Sequence, residues 1–158
     1  MKKAILTITA IIVSFSFITA QTSIEIINGL AYNADNELMD GKYYTTYEDG
    51  TIKEELNYQN GVKQGAFLAY YEDGALKEQG LFTDNQKDGR WTKWAQNGNK
   101  IGDIHFKNGI KDGKWRIWDA NGTLRYLVFY DMGEKTGIWK VYDEQGNLTK
   151  EENYTVSF

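Results

Sequence analysis

The chain lacks cysteine and proline entirely and carries one histidine, His105, in 158 residues. Without cysteine there is no disulfide framework, iron–sulfur cluster, thiol nucleophile or Cys-ligated zinc. A lipid-anchored N-terminus is excluded for the same reason. A single imidazole cannot build a multi-histidine metal centre, so neither a metal nor a cofactor is expected. Serine is scarce as well: beyond Gln21 only Ser23 and Ser157 occur, both near the ends, which leaves no nucleophile for a triad. Against these absences stand 16 glycines, 15% aromatic and 41% hydrophobic residues, a composition that argues against disorder and for one folded domain.

The N-terminal stretch reads separately. Lys2 and Lys3 precede an apolar run from Ala4 to Ile18, and Ile18-Thr19-Ala20 ends on a small residue before Gln21. That is the layout of a secretory signal peptide over residues 1–20. The competing reading is an uncleaved anchor, but the run is shorter than the roughly 20 residues that span a bilayer. Thr7, Thr9, Ser14 and Ser16 also interrupt it. The expectation is an exported chain, placed in the periplasm, at the cell surface or in the medium. Removal of Lys2 and Lys3 leaves 16 basic against 22 acidic residues, a net charge of −6, which disfavours nucleic acid as a partner. The charge is uneven: residues 35–84 hold 11 acids and 4 bases, whereas residues 86–116 hold 8 bases and 3 acids.

Internal periodicity organises the rest. Gly41, Gly65, Gly89, Gly113 and Gly137 recur every 24 residues. Two residues after each stands an aromatic ring: Tyr43, Phe67, Trp91, Trp115 and Trp139. Five residues after them come Thr46, Tyr70, Trp94, Trp118 and Tyr142; nine after them, a second glycine; seventeen after them, Tyr58, Phe82, Phe106, Tyr130 and Tyr154. Thirteen glycines and all five tryptophans fall on this frame. Each unit reads as a β-hairpin, with Asp-Gly or Asn-Gly pairs such as Asp49-Gly50 and Asn97-Gly98 supplying tip residues that tolerate positive φ. Asn60-Gly61 and Asn108-Gly109 close the return turns. Two-residue alternation places Leu124, Tyr126, Val128 and Tyr130 on one face. The two aromatics of the first strand, three apart, fall on opposite faces unless a bulge re-aims one. One unit buries too little to fold alone, so the copies must stack.

The expected architecture is therefore all-β: an elongated, twisted antiparallel meander of about five 24-residue hairpin repeats. Residues 21–38 form an N-terminal capping hairpin around Asn28-Gly29, and residues 39–158 form the repeat domain, closed by a strand over Tyr154–Phe158. Its exposed edges invite self-association.

Units such as Asp112-Gly113-Lys114-Trp115-Arg116-Ile117-Trp118, continued to Asn121-Gly122-Thr123-Leu124, resemble the MORN-repeat variant family, the bacterial antitoxin-like form, over residues 39 to about 154. The resemblance implies an extended hairpin sheet, and antitoxin, immunity, scaffolding or lipid-contact roles. An exported member departs from a cytoplasmic antitoxin. A weaker resemblance, to choline- and cell-wall-binding aromatic hairpins, fails on period.

Candidate sites are few. His105 is the one near-neutral base, but its slot holds Asn57, Leu81, Phe129 and Asn153 in the other copies, so nothing there asks for an imidazole, and no enzyme activity is expected. Glu48-Asp49, Glu72-Asp73 and Asp143-Glu144 sit at hairpin tips, where turn chemistry accounts for them better than glycoside hydrolysis does. Asp119-Ala120-Asn121-Gly122 lacks the remaining ligands of a calcium loop. Lys63, Lys87, Lys111 and Lys135 share one turn slot and read either as solvated edge charge or as a cationic rim for lipid headgroups or an acidic partner. Tyr70, Trp94, Trp118 and Tyr142 form a row that is either core or a binding surface for a peptide strand or glycan. Two functions follow: a non-enzymatic exported scaffold that binds another protein, as an immunity or envelope component, or a surface glycan- or lipid-binding module.

Overall fold

The computed structural model describes residues 24–155, so the expected signal peptide and Val156, Ser157 and Phe158 lie outside the described residues. The strands are β1 (Glu25–Ile27), β2 (Leu30–Tyr32), β3 (Gly41–Thr46), β4 (Ile52–Gln59), β5 (Val62–Lys63), β6 (Gly65–Tyr70) and β7 (Leu76–Thr83). They continue as β8 (Gln86–Trp94), β9 (Lys100–Lys107), β10 (Ile110–Lys111), β11 (Gly113–Trp118), β12 (Leu124–Asp131), β13 (Glu134–Tyr142) and β14 (Leu148–Asn153). The fold is an all-β antiparallel meander. One sheet runs β14-β13-β12-β11-β9-β8-β7-β6-β4-β3, with β5 against β4 and β10 against β9.

Two turn chemistries alternate along it. At Asn28-Gly29, Asn60-Gly61, Asp84-Asn85, Asn108-Gly109 and Met132-Gly133 both residues have positive φ, the signature of a type I′ turn. At the hairpin tips only the glycine does, as in Asp49-Gly50 and Asn97-Gly98. There Gly50 N donates to Tyr47 O at 3.0 Å and Tyr47 N to Thr51 O at 2.9 Å, a type I turn followed by a left-handed residue. The tip aspartates thus act through their carboxylates rather than through positive φ, which corrects the sequence expectation.

Each hairpin also carries a bulge at one slot. Ile117 faces Tyr126 but Trp118 faces Leu124, leaving Arg125 extra. The same shift recurs at Lys53, Lys77, Ile101 and Thr149. Between Leu124 and Tyr126 the bulge breaks the alternation expected for Leu124, Tyr126, Val128 and Tyr130, and the last three stay in phase on one face. Val128 is buried and Tyr130 packs on the core, but Tyr126 remains 43% exposed.

The core lies on one face. Phe67, Phe82, Trp91, Phe106, Trp115, Tyr130, Trp139 and Tyr154 follow one another as a ladder with successive ring centroids 5.0–6.3 Å apart. Most of these contacts are edge-to-face, each worth about 0.5–1.5 kcal/mol beyond area burial. Beneath the rings sit Leu56, Ala69, Ile104 and Val128. The return turns stitch the units together: Gly61 N donates to Met39 O, Asn85 N to Lys63 O, Gly109 N to Lys87 O and Gly133 N to Lys111 O, at 2.8–3.0 Å.

The hairpin β1–β2 covers the first end. Ala31, fully buried, donates to Gly61 O at 2.8 Å and accepts from Met39 N at 2.9 Å, and Ile24 and Met39 pack on the core. At the other end β14 stops at Asn153, and Tyr154 keeps one backbone bond, to Gly137 O at 2.9 Å. The expected strand from Tyr154 onward is not seen in Tyr154 or Thr155. In inner copies that stretch is held on its far side by the next unit, as β5 holds β4, and the described residues contain no such unit here.

Candidate binding surface

The rows that the sequence left open now separate. The rings two and seventeen residues after each frame glycine form the core ladder. Tyr70, Trp94, Trp118 and Tyr142 are half-buried and belong to the opposite face. Tyr70 shows this directly: its hydroxyl donates to Glu55 Oε1 at 2.9 Å, and Glu55 lies across from Tyr44 and Leu68, which alternate with the core residues Tyr43 and Phe67. Trp94 follows Arg90 and Thr92 at two-residue steps, out of phase with the buried Trp91.

The four lysines run along the aromatic ladder. Lys63 Nζ lies 5.3 Å from the Phe82 centroid, Lys87 3.7 Å from Trp91, Lys111 5.0 Å from Tyr130 and Lys135 4.5 Å from Trp139. Their stems cover the ladder and their ammonium groups engage its ring faces. Lys87 also pairs with Glu78 at 3.0 Å.

The sequence reading missed the centre of the opposite face. Asp103 on β9 is buried, and Arg90 on β8 grips it with two bonds, Nε to Oδ1 at 2.7 Å and Nη2 to Oδ2 at 2.9 Å. Arg116 Nη1 stands 3.5 Å from Oδ2, and His105 Nε2 3.9 Å from Oδ1. Burial raises the Asp103 pKa, but the Arg90 hydrogen bonds and charge, with Lys100 and His105, outweigh it and hold the carboxyl below its ordinary value. The signal was present in the sequence as an acid, Asp103, inside the basic stretch 86–116. Its two arginine partners come from neighbouring strands, which alternation alone does not bring together. His105 therefore sits beside an ion pair, 42% exposed, with no nucleophile in the cluster.

The tip carboxylates are turn acceptors. Asp49 Oδ1 accepts from Thr51 N at 2.9 Å, Asp73 Oδ1 from Ala75 N at 3.0 Å, and Asp143 Oδ1 from Gln145 N and Asn147 N at 3.0 and 2.8 Å. All three acids are held below their usual pKa, Asp49 first by the Thr51 hydroxyl at 2.7 Å, Asp73 first by the Gln96 amide at 2.9 Å, and Asp143 first by Asn147 N, with the other backbone donors adding to it. The acids before the frame glycines act likewise: Asp40, Asp88 and Asp112 accept from Asn60 N, Asn108 N and Met132 N at 2.9, 3.2 and 3.2 Å. Among the described residues no three His, Cys, Asp or Glu side chains gather to hold a metal ion.

A comparison with curated proteins finds no match. Residues 39–60, 63–84, 87–108, 111–132 and 135–155 each match the MORN repeat variant, and these five stretches coincide with the five structural units. With the 24-residue frame, the paired turns and the ladder all in phase with those matches, the chain belongs to the MORN repeat variant family.

Proposed function

We propose that this chain is an exported, non-enzymatic repeat scaffold that binds another protein through the face opposite its core, in an immunity or envelope-assembly role. One observation carries this reading: Trp94 and Trp118 stay half-buried on the side away from the ladder, the face that also carries Arg90 and Arg116, although other rings already fill the core. Tryptophan and arginine are the side chains that most often anchor protein interfaces. The paired substitution Trp94→Ala and Trp118→Ala tests it. Partner capture from an envelope fraction lost with an unchanged melting temperature supports the surface role; collapse of the fold assigns the row to packing. Turnover abolished by His105→Ala in a folded protein would overturn the non-enzymatic reading. Export rests on residues 1–20, and confinement of the protein to the cytoplasmic fraction would remove it, whereas an intact Met1 on exported protein would show an uncleaved anchor.

The alternative, a glycan- or lipid-binding module, draws on Lys111 and Lys135, which are exposed. Reversing both to Glu separates the readings: salt-dependent loss of anionic-liposome binding favours lipid contact, and unchanged binding eliminates it.

A further inference from the structure

Resting on the protein-binding reading above, we infer that the occupant of this face is an acidic segment in the polyproline II conformation, lying across the strands with every third residue facing the sheet. Three observations converge on it.

The first is spacing. Equivalent residues of successive units are two strands apart, about 9.6 Å. A polyproline II helix repeats every three residues at about 3.1 Å each, or about 9.3 Å. Across the three steps from Tyr70 to Tyr142 the mismatch accumulates to about 1 Å. A heptad of α-helix advances about 10.5 Å and slips by about 3 Å over the same span. A β-strand covers the distance in three residues but turns the third residue to the wrong side. Sheet twist, about 40–50° per two strands, asks the ligand to adjust by about 15° per residue, within the ordinary scatter of that conformation.

The second is charge. Both oxygens of Asp103 are occupied by Arg90, so one carboxylate serves two guanidiniums. Lys114 lies 5.6 Å from the Phe129 centroid, with no carboxylate within ion-pair distance among the described residues. Around Trp94 and Trp118 the face thus holds three cations, Arg90, Lys114 and Arg116, against the one acid Asp103, at two to four residues along the strand from the tryptophans. A ligand whose acidic residues fall near Arg90, Lys114 and Arg116 and whose apolar residues fall on the aromatic row meets both features.

The third is the indole donors. Trp115 and Trp139 donate to His105 O and Phe129 O at 2.8 and 2.9 Å, whereas Trp94 and Trp118 donate to nothing among the described residues. Polyproline II makes no internal hydrogen bonds, so its carbonyls are open to such donors.

The test uses synthetic peptides with the whole mature chain. (Glu-Pro-Pro)4, about 37 Å long, spans the row. It should bind saturably, at least about tenfold more tightly than (Glu-Gly-Gly)4, which has the same charge spacing without the stiffness, or than (Lys-Pro-Pro)4. Arg116→Gln, and separately the Trp94→Ala and Trp118→Ala pair, should each weaken binding about tenfold with the melting temperature intact. Equal binding of the Pro and Gly peptides, tighter binding of an acidic helical peptide, or indifference to both variants overturns the inference. If the peptides fail while a protein partner is still captured by the parent and lost by the tryptophan pair, the polyproline inference falls and the protein-binding reading stands.

Discussion

Replacing Gly80 with alanine should destabilise the protein, although the repeat itself argues the reverse. Leu56, Ile104 and Val128 occupy the same slot in neighbouring copies and are buried, so a larger side chain at Gly80 looks like a repair. The structure shows why it is not. A Cβ on Gly80 would lie 2.2 Å from Cδ2 and 2.3 Å from Cε2 of Trp91, where ordinary carbon contacts are about 3.5–4.0 Å. The indole cannot retreat: it is fully buried, stacked on Phe67 at 5.2 Å, edged by Phe82 at 5.1 Å and faced by Lys87 Nζ at 3.7 Å. Overpacking of this kind costs about 1–3 kcal/mol, and Ala returns about 0.5–1 kcal/mol over Gly within a strand. Forcing the ring out would cost more, about 3–5 kcal/mol. A net loss of about 2 kcal/mol corresponds to a fall in melting temperature of about 4–8 °C for a chain of this size. Far-ultraviolet circular dichroism and tryptophan fluorescence during thermal and urea unfolding measure it. Adding Trp91→Leu should relieve the clash, so the double variant should lose less than the two single losses summed. A Gly80→Ala variant as stable as the parent would refute the reasoning and show that the indole can turn elsewhere.

Other outcomes follow from neighbouring features. Trp91 Nε1 is buried without a partner, whereas Trp115 Nε1 donates to His105 O, so Trp91→Phe should cost about 1 kcal/mol less than Trp115→Phe in urea titrations. Asp103 has a depressed pKa in the fold, so its stabilisation is fully present above the unfolded value near 3.9 and is lost as pH falls through the lower folded value. Asp103→Asn should therefore lower stability at pH 7 by about 2 kcal/mol and flatten the loss below about pH 4, measured by urea unfolding across pH. Met132 holds φ of 46° in a type I′ turn whose equivalents at Asn60 and Asn108 are asparagine. Met132→Asn should stabilise by about 0.5–1 kcal/mol, seen as a higher urea midpoint.

The fold was legible because its determinants are periodic. Frame glycines, ring positions and Asx-Gly pairs repeat in phase, and repetition makes each of them readable. Turn type was less so, because Asp49-Gly50 and Asn60-Gly61 look alike in sequence; what differs is the hydrogen bonding on either side, with Asp49 bonding forward to Thr51 and Asn60 held by Asp40 from the previous return. Gly80 was illegible because its role depends on one indole a strand away. The Arg90–Asp103–Arg116 cluster was illegible because it is assembled from three strands whose lateral order alternation does not supply.

The two faces answer to different constraints. On the core face each inner ring touches rings of two units: Trp115 meets Phe106 on one side and Tyr130 on the other. Loss of one inner ring therefore weakens both its own hairpin and the junction to the neighbouring copy, and every copy must supply a ring at those slots for the sheet to hold. The opposite face is joined across copies only at particular pairs, such as Arg116 with Asp103 and Tyr70 with Glu55, and its slots diverge. The position of Arg116 holds Tyr44, Leu68, Thr92 and Lys140 in the other copies, and that of Lys114 holds Lys42, Ala66, Arg90 and Ile138. A ligand reading this face meets regular spacing set by the sheet and a side-chain series that changes from copy to copy. The repeat thus supplies the ruler, and the departures from the repeat supply the specificity. For that reason the 24-residue frame predicts the architecture directly, whereas the partner must be sought through the residues that fail to repeat.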